Sequence, residues 1–214
     1  MRTRPDETAT PDGGAATTPL RPGRGRRPAA QVREAVLVAA GDLLFERGIG
    51  AVTFDKVASR SGASKMTLYR WWPSPGALAL EAYSTRVRPT LTFADTGDIA
   101  RDLTAQLTAF IHLLTDDGGG TVVGQLVGAA QSDQDLAQAF TAAYIKPRRQ
   151  LAVERLTVAV QAGQIRDDVD LEVIVDQLWG ACYHRLLLPA LPLTPEFGRA
   201  LVENVLRGVA PAQR

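Results

Sequence analysis

The chain has 214 residues, 24 Lys and Arg against 23 Asp and Glu, and a formal net charge of +1. A length of this order predicts one domain, or a small one joined to a larger one, and 45% hydrophobic residues exclude a wholly disordered chain. The near-neutral sum hides a split: residues 1–88 carry 14 basic and 8 acidic side chains (+6), residues 89–214 carry 10 and 15 (−5). Such asymmetry suggests two tasks, one of them facing a polyanion, although a swing of this size also arises by chance. The single Cys182 excludes an intrachain disulfide scaffold, and no apolar run reaches the length of a membrane span. With no signal-peptide pattern at the polar, Pro-rich start, a soluble cytoplasmic protein is expected.

Residues 1–28 hold five prolines, four glycines and almost nothing apolar. They cannot bury enough surface to offset their ordering entropy, and disorder is expected. The segment ends in a basic run that includes Arg21, Arg24, Arg26 and Arg27. It reads either as a solvated tail or as a flexible arm entering a DNA minor groove, the latter only if a DNA-reading domain follows.

From Ala29 onward the punctuation is helical. Val32, Val36, Ala39, Ala40, Leu43 and Leu44 recur at helical spacing up to Gly48. Thr53 is a candidate N-cap for a short helix from 54 to 60 or 61, stopped by Gly62. Ser64 caps another from 65 to about 72, stopped by Pro73; Ser74-Pro75 opens a fourth that runs to about 88. Ile99, Leu103, Leu107, Phe110 and Leu114 make one apolar stripe, closed by Gly118-Gly119-Gly120, which reads as a flexible connection. Further helices are expected over 121–132, 134–144, 146–162, 170–188 and 195–207. No stretch alternates like a strand, so the fold class is all-α.

The segment 53–72, TFDKVASRSGASKMTLYRWW, then reads as one object. Two short helices meet at Ser61-Gly62-Ala63, with Phe54, Val57 and Ala58 able to pack on Leu68 and Trp72. This is a helix-turn-helix, whose second helix would present Lys65, Met66, Thr67, Tyr69 and Arg70 to a major groove. An ordinary helical hairpin is the alternative on pattern alone.

Residues 29–83 resemble the DNA-binding domain of the TetR family of transcriptional regulators. The resemblance rests on Phe45-x-x-x-Gly48, Thr53, Val57-Ala58, Gly62-Ala63-Ser64, Thr67-Leu68-Tyr69, Trp72-Pro73-Ser74, Leu78 and Leu80. It implies that Lys65, Met66 and Thr67 approach base edges, that Thr53, Ser64, Tyr69 and Trp71 contact phosphates, and that Arg70 adds a cation. Many relatives carry a Lys at the start of the fourth helix where this chain has Pro75. That phosphate contact must come from backbone N–H groups or be offset by the arm, through Arg24, Arg26 and Arg27. The implied organisation is an arm (1–28), a three-helix reading domain (29–73), a linking helix (74–89) and a helical C-terminal domain for dimerisation and ligand binding (90–214).

The 170–188 segment is apolar on nearly every side, as a helix covered on two faces would be. Paired with 195–207 across a two-fold axis it would make a homodimer interface; residues 164–208 also resemble the C-terminal domain of a TetR subgroup. Polar or aromatic residues on otherwise apolar helices are the candidate ligand contacts: Gln106, Phe110, His112, Gln125, Tyr144, Trp179, Tyr183 and His184. His112 and His184 lack further Cys, His or Asp at ligand spacing, so no metal is expected, and no cofactor either. No Ser-His-Asp arrangement, phosphate loop or H-E-x-x-H pattern points to an enzyme. The expectation is a dimeric repressor on a palindromic double-stranded DNA operator, released by an unidentified small effector; an effector-independent activator or architectural regulator is the alternative.

Overall fold

The computed structural model describes residues 27–209, except 117, 189 and the side chain of Leu91. The expected arm, with Arg24 and Arg26, therefore lies outside the described residues apart from Arg27 and Pro28. The described residues fold as helices and connecting turns, without a strand.

α1 (Ala29–Arg47) buries Val36, Ala39, Ala40, Leu43 and Leu44 and ends at Gly48, whose φ of 79° only glycine adopts without strain. A single 3₁₀ turn leads to α2 (Phe54–Ser61) and α3 (Lys65–Trp71). Three hydroxyls cap three successive helices as their positions predict. Thr53 Oγ1 accepts from the Lys56 N–H at 3.3 Å, Ser64 Oγ from that of Thr67 at 3.1 Å, and Ser74 Oγ from that of Ala77 at 3.1 Å. The last opens α4 (Pro75–Val87), with Pro75 in the first turn, where its missing N–H costs nothing. α1 packs against both α2 and α4.

The body is built on α5 (Ile99–Thr115), capped by Asp98 and covered by α11 (Pro195–Val209), α6 (Gly119–Ala130) and α8 (Lys146–Gln161). A buried ion pair fastens α5 to α8: Arg155 donates to Asp102 at 2.6 and 2.9 Å, and Thr96 closes the site with its hydroxyl at 2.6 Å. Burial alone would raise the Asp102 carboxyl, but the bonds from Thr96 and Arg155 outweigh it and hold it below the ordinary carboxylate value.

Two details depart from the sequence reading. Gly118-Gly119-Gly120 is a tight join. A Cβ on Gly119 would stand 2.6 Å from the Leu113 carbonyl oxygen and one on Gly120 would overlap that of Leu114, because α6 turns directly back onto the end of α5. The segments expected over 134–144 and 146–162 form one unbroken helix, α7 (Gln134–Phe140) passing into α8 through a π turn at Thr141–Ile145. Pro147 has no N–H to give, and the wider turn just before it accommodates the missing bond. The same device recurs where α9 (Leu171–Val175) passes into α10 (Ala181–Leu187) through a π turn at Asp176–Gly180. The expected 170–188 helix is therefore continuous but locally overwide.

Candidate nucleic-acid interface and ligand cavity

The seam between α2 and α3 is apolar and closed, with Phe54, Val57, Leu68 and Trp72 at 5% exposure or less. Gly62 makes the turn in the left-handed region at φ 70°. Burying one side of so short a helix leaves the opposite side of α3 free, and Met66 and Tyr69 stand out at 78% and 64% exposure. Lys65, at the N-terminal end, forms an ion pair with Asp55, which raises its pKa above the ordinary lysine value. Thr67 shares its hydroxyl with Ser64 Oγ at 2.8 Å, and the Tyr69 ring stands edge-on to Phe54 at 4.7 Å. Trp71 is half-buried against Trp72, with the Arg33 and Arg70 guanidinium groups each 5.9 Å from its ring. Trp72 is anchored from the other side: its indole N–H donates to Glu81 at 2.8 Å, and both carboxylate oxygens of Glu81 accept from Arg33 Nη2 at 2.7 and 2.8 Å. Arg27 reaches to 3.7 Å from where a Cβ on Gly62 would lie, so the end of the basic arm is beside the helix-turn-helix turn.

The body holds a partly open cavity of about 300 Å³, at the lower end of ligand-sized sites. Of the residues singled out from sequence, it brings together Gln106, Phe110, Tyr144, Trp179 and Tyr183. His112, Gln125 and His184 lie elsewhere. His112 is paired with Asp116 on the surface at 2.6 Å, His184 is exposed, and Gln125 points to the reading head. No group of three or more potential metal ligands occurs among the described residues.

Sequence reasoning missed Phe93 and Arg148. Phe93 lies in the extended segment before α5, where no periodicity marks an inward residue, yet its ring reaches Trp179 at 5.9 Å. Arg148 resembles any surface cation in sequence. It lies across the Tyr144 and Phe110 rings at 4.5 and 5.3 Å, and its Nη1 is buried without a hydrogen-bond partner. Both π turns reach the cavity wall, through Tyr144 and Ile145 on one and Asp176, Trp179 and Gly180 on the other. Such turns rotate the following residues relative to a regular helix and recur at functional sites.

Two links join the cavity to the reading head. Gln125 on α6 accepts the Ile49 backbone N–H at 2.9 Å, at the turn after α1, and Val127 two residues on lines the cavity. On α4, Tyr83 is fully buried with its ring 5.3 Å from Tyr144, whose hydroxyl accepts from that of Tyr183 at 3.3 Å. Burial drives the pKa of Tyr83 and Tyr183 upward, so both remain neutral phenols. The Tyr83 hydroxyl has no hydrogen-bond partner among the described residues.

A capped pair of short helices with a closed seam and an outward cationic and aromatic face is a helix-turn-helix of the DNA-binding kind. Residues 36–82 match the model of bacterial regulatory proteins of the tetR family, and residues 93–205 that of the tetracyclin repressor-like C-terminal domain. The chain is 36% identical over 186 residues to the uncharacterized HTH-type transcriptional regulator YdeS of Bacillus subtilis strain 168, covering 87% of this chain and 93% of that protein. To the DNA-binding transcriptional repressor TetR of Mycobacteroides abscessus it is 30% identical over 175 residues, 80% of this chain and 90% of that one. The crystal structure of the TetR family transcription regulator SCO0332 superposes with a TM-score of 0.78 at 55% identity, spanning 85% of this chain and all of that one. The chain belongs to the TetR family: it is a DNA-binding transcriptional regulator and not an enzyme.

Proposed function

We propose that the protein is a homodimeric repressor, released from a palindromic operator when a small molecule occupies the body cavity. The observation that carries this reading is that two helices connect the cavity wall to the reading head. α6 presents Val127 to the one and Gln125 to the other, and α4 places Tyr83 against Tyr144 on the cavity wall. A ligand that displaces α6 or α7 acts directly on the turn after α1 and on the helix that carries the reading domain. Differential affinity of the ligand for two spacings of the paired heads then shifts their populations.

In this reading Lys65, Met66 and Thr67 approach base edges, and Thr53, Ser64, Tyr69 and Trp71 hold phosphates with Arg70. The Lys65–Asp55 pair is exchanged for a DNA contact on binding, and Arg24, Arg26 and Arg27 supply the cations that Pro75 cannot. The dimer forms through 170–188 and 195–207, a surface that includes the exposed Leu187 and Leu188, 49% and 48% accessible in the single chain.

The test is footprinting on DNA upstream of the protein's own coding region, with Lys65→Ala and Tyr69→Ala beside the parent. Each variant is expected to lose binding at least tenfold while light scattering still shows a dimer. Protection retained by both would refute the assignment of α3 as the reading helix.

A further inference from the structure

We propose that the body cavity selects a compact aromatic molecule bearing one anionic oxygen, and that Arg148 is the residue that recognises the anion. The inference rests on the effector reading above and gives it a chemical class. Rings dominate the wall: Phe93, Phe110, Phe140, Tyr144, Trp179 and Tyr183 face a space of about 300 Å³. That volume suits one or two fused rings. Aromatic walls meet a planar ligand edge-on or offset-stacked, gaining more than an aliphatic chain of equal area would.

The polar demand within this wall is uneven. Arg149, at the same cavity, is satisfied: it is paired with Glu172 and with Asp176. Asp176 is the one carboxylate on the wall among the described residues, and it is taken by that pair. Arg148 has no ion pair or hydrogen bond among the described residues. It is held only by the faces of Tyr144 and Phe110, with Nη1 shielded from water. A guanidinium group cannot deprotonate to escape this cost, so its unmet donor favours an acceptor arriving from outside the chain. A carboxylate or phenolate oxygen is the acceptor its fork fits best. The Tyr183 and Tyr144 hydroxyls, 3.3 Å apart, offer a second donor in the same wall.

The experiment uses the full chain and two near-isosteric probes, 2-naphthoate and the neutral 2-naphthylmethanol, with octanoate as an anion without a ring. Binding is read by calorimetry and by the rise in melting temperature, and release by displacement of upstream DNA. The naphthoate is expected to bind at least tenfold more tightly than either comparator. In Arg148→Met its advantage over the alcohol is expected to vanish, while Arg148→Lys keeps part of it. Equal affinity for naphthoate and alcohol in the parent protein would overturn the proposal, as would an undiminished preference in Arg148→Met or no binding of either probe at millimolar concentration. Because the first comparison needs no variant, a misfolded Arg148→Met leaves the proposal exposed to refutation. Arg148-dependent binding of naphthoate that leaves DNA bound would support the site while overturning release by cavity occupancy.

Discussion

Asp102 and Arg155 show how much a single residue can decide in a body made of apolar helices. Both side chains are buried and hydrogen-bonded, and removing Asp102 leaves the buried Arg155 with only the exposed Asp95, 3.5 Å away, at a cost of about 3 kcal/mol. Asp102→Ala is expected to lower the midpoint of urea unfolding at pH 7 accordingly. The folded carboxyl titrates below its unfolded value of about 3.9, so its contribution is complete above that pH and is lost as pH falls through the folded pKa. Urea titrations between pH 7 and pH 2.5 should show an acid limb in the parent that is shallower in the variant. The other depressed carboxylates, such as Asp116 and Asp168, are exposed and screened and add little to that limb. Cys182 belongs to the same apolar interior, where burial pushes its thiol up to about 12. It should resist iodoacetamide at pH 8 until the protein is unfolded, as mass spectrometry of the labelled chain would show. At this scale the sequence was readable where chemistry is local: the capping hydroxyls Thr53, Ser64 and Ser74 need only their own turn. Arg148 and Gln125 were not, because a polar residue on a helix carries the same signature on a cavity wall, at a joint or in solvent.

Among the elements, the short capped helices of the reading domain were legible nearly residue by residue, since Gly48, Gly62 and Pro73 punctuate them. The body was legible only as a sequence of apolar stripes. The two π turns at Thr141–Ile145 and Asp176–Gly180 leave no compositional mark beyond Pro147, yet both bring residues to the cavity. The triple glycine was misread because glycine serves looseness and closeness alike, and only the packing of α6 on α5 distinguishes them. That distinction can be measured. Gly120→Ala places a Cβ against the Leu114 carbonyl oxygen and within 2.8 Å of Leu186 Cδ1, and backbone cannot yield as a side-chain tip can. A loss of about 1–3 kcal/mol is expected in thermal or urea unfolding, the ordinary range for overpacking. Gly124→Ala, on the same helix with open space at its Cβ, should be neutral or slightly stabilising through helix propensity. Equal effects from both would mean that α6 does not lie against α5 as described.

For the whole molecule, the opposed charges of the two halves and the two helical links belong to one arrangement: a cationic head joined through α4 and α6 to an acidic body. The split sum of +6 and −5 was visible from the start, but the links were not, because they join Gln125 to Ile49 and Tyr83 to Tyr144 across long stretches of chain. Gln125 offers the cleanest test of the α6 link. Its side-chain amide is exposed and holds the Ile49 N–H by one neutral hydrogen bond, so Gln125→Ala should cost no more than about 1 kcal/mol of stability. Water can replace the lost acceptor at so open a site. The cavity is untouched, and ligand affinity in the absence of DNA should be unchanged. On the proposed function, what the substitution removes is the side-chain hydrogen bond that ties α6 to the turn after α1. Coupling is a free-energy difference shared by both sites, so weakening it must show from either direction. Ligand should release less DNA at a given occupancy, and DNA should penalise ligand binding less. A variant that binds DNA and ligand as the parent does, but with their mutual antagonism reduced, would place the signal in α6. Antagonism at full strength would leave α4, with Tyr83 pressed against the cavity wall, as the path that carries it.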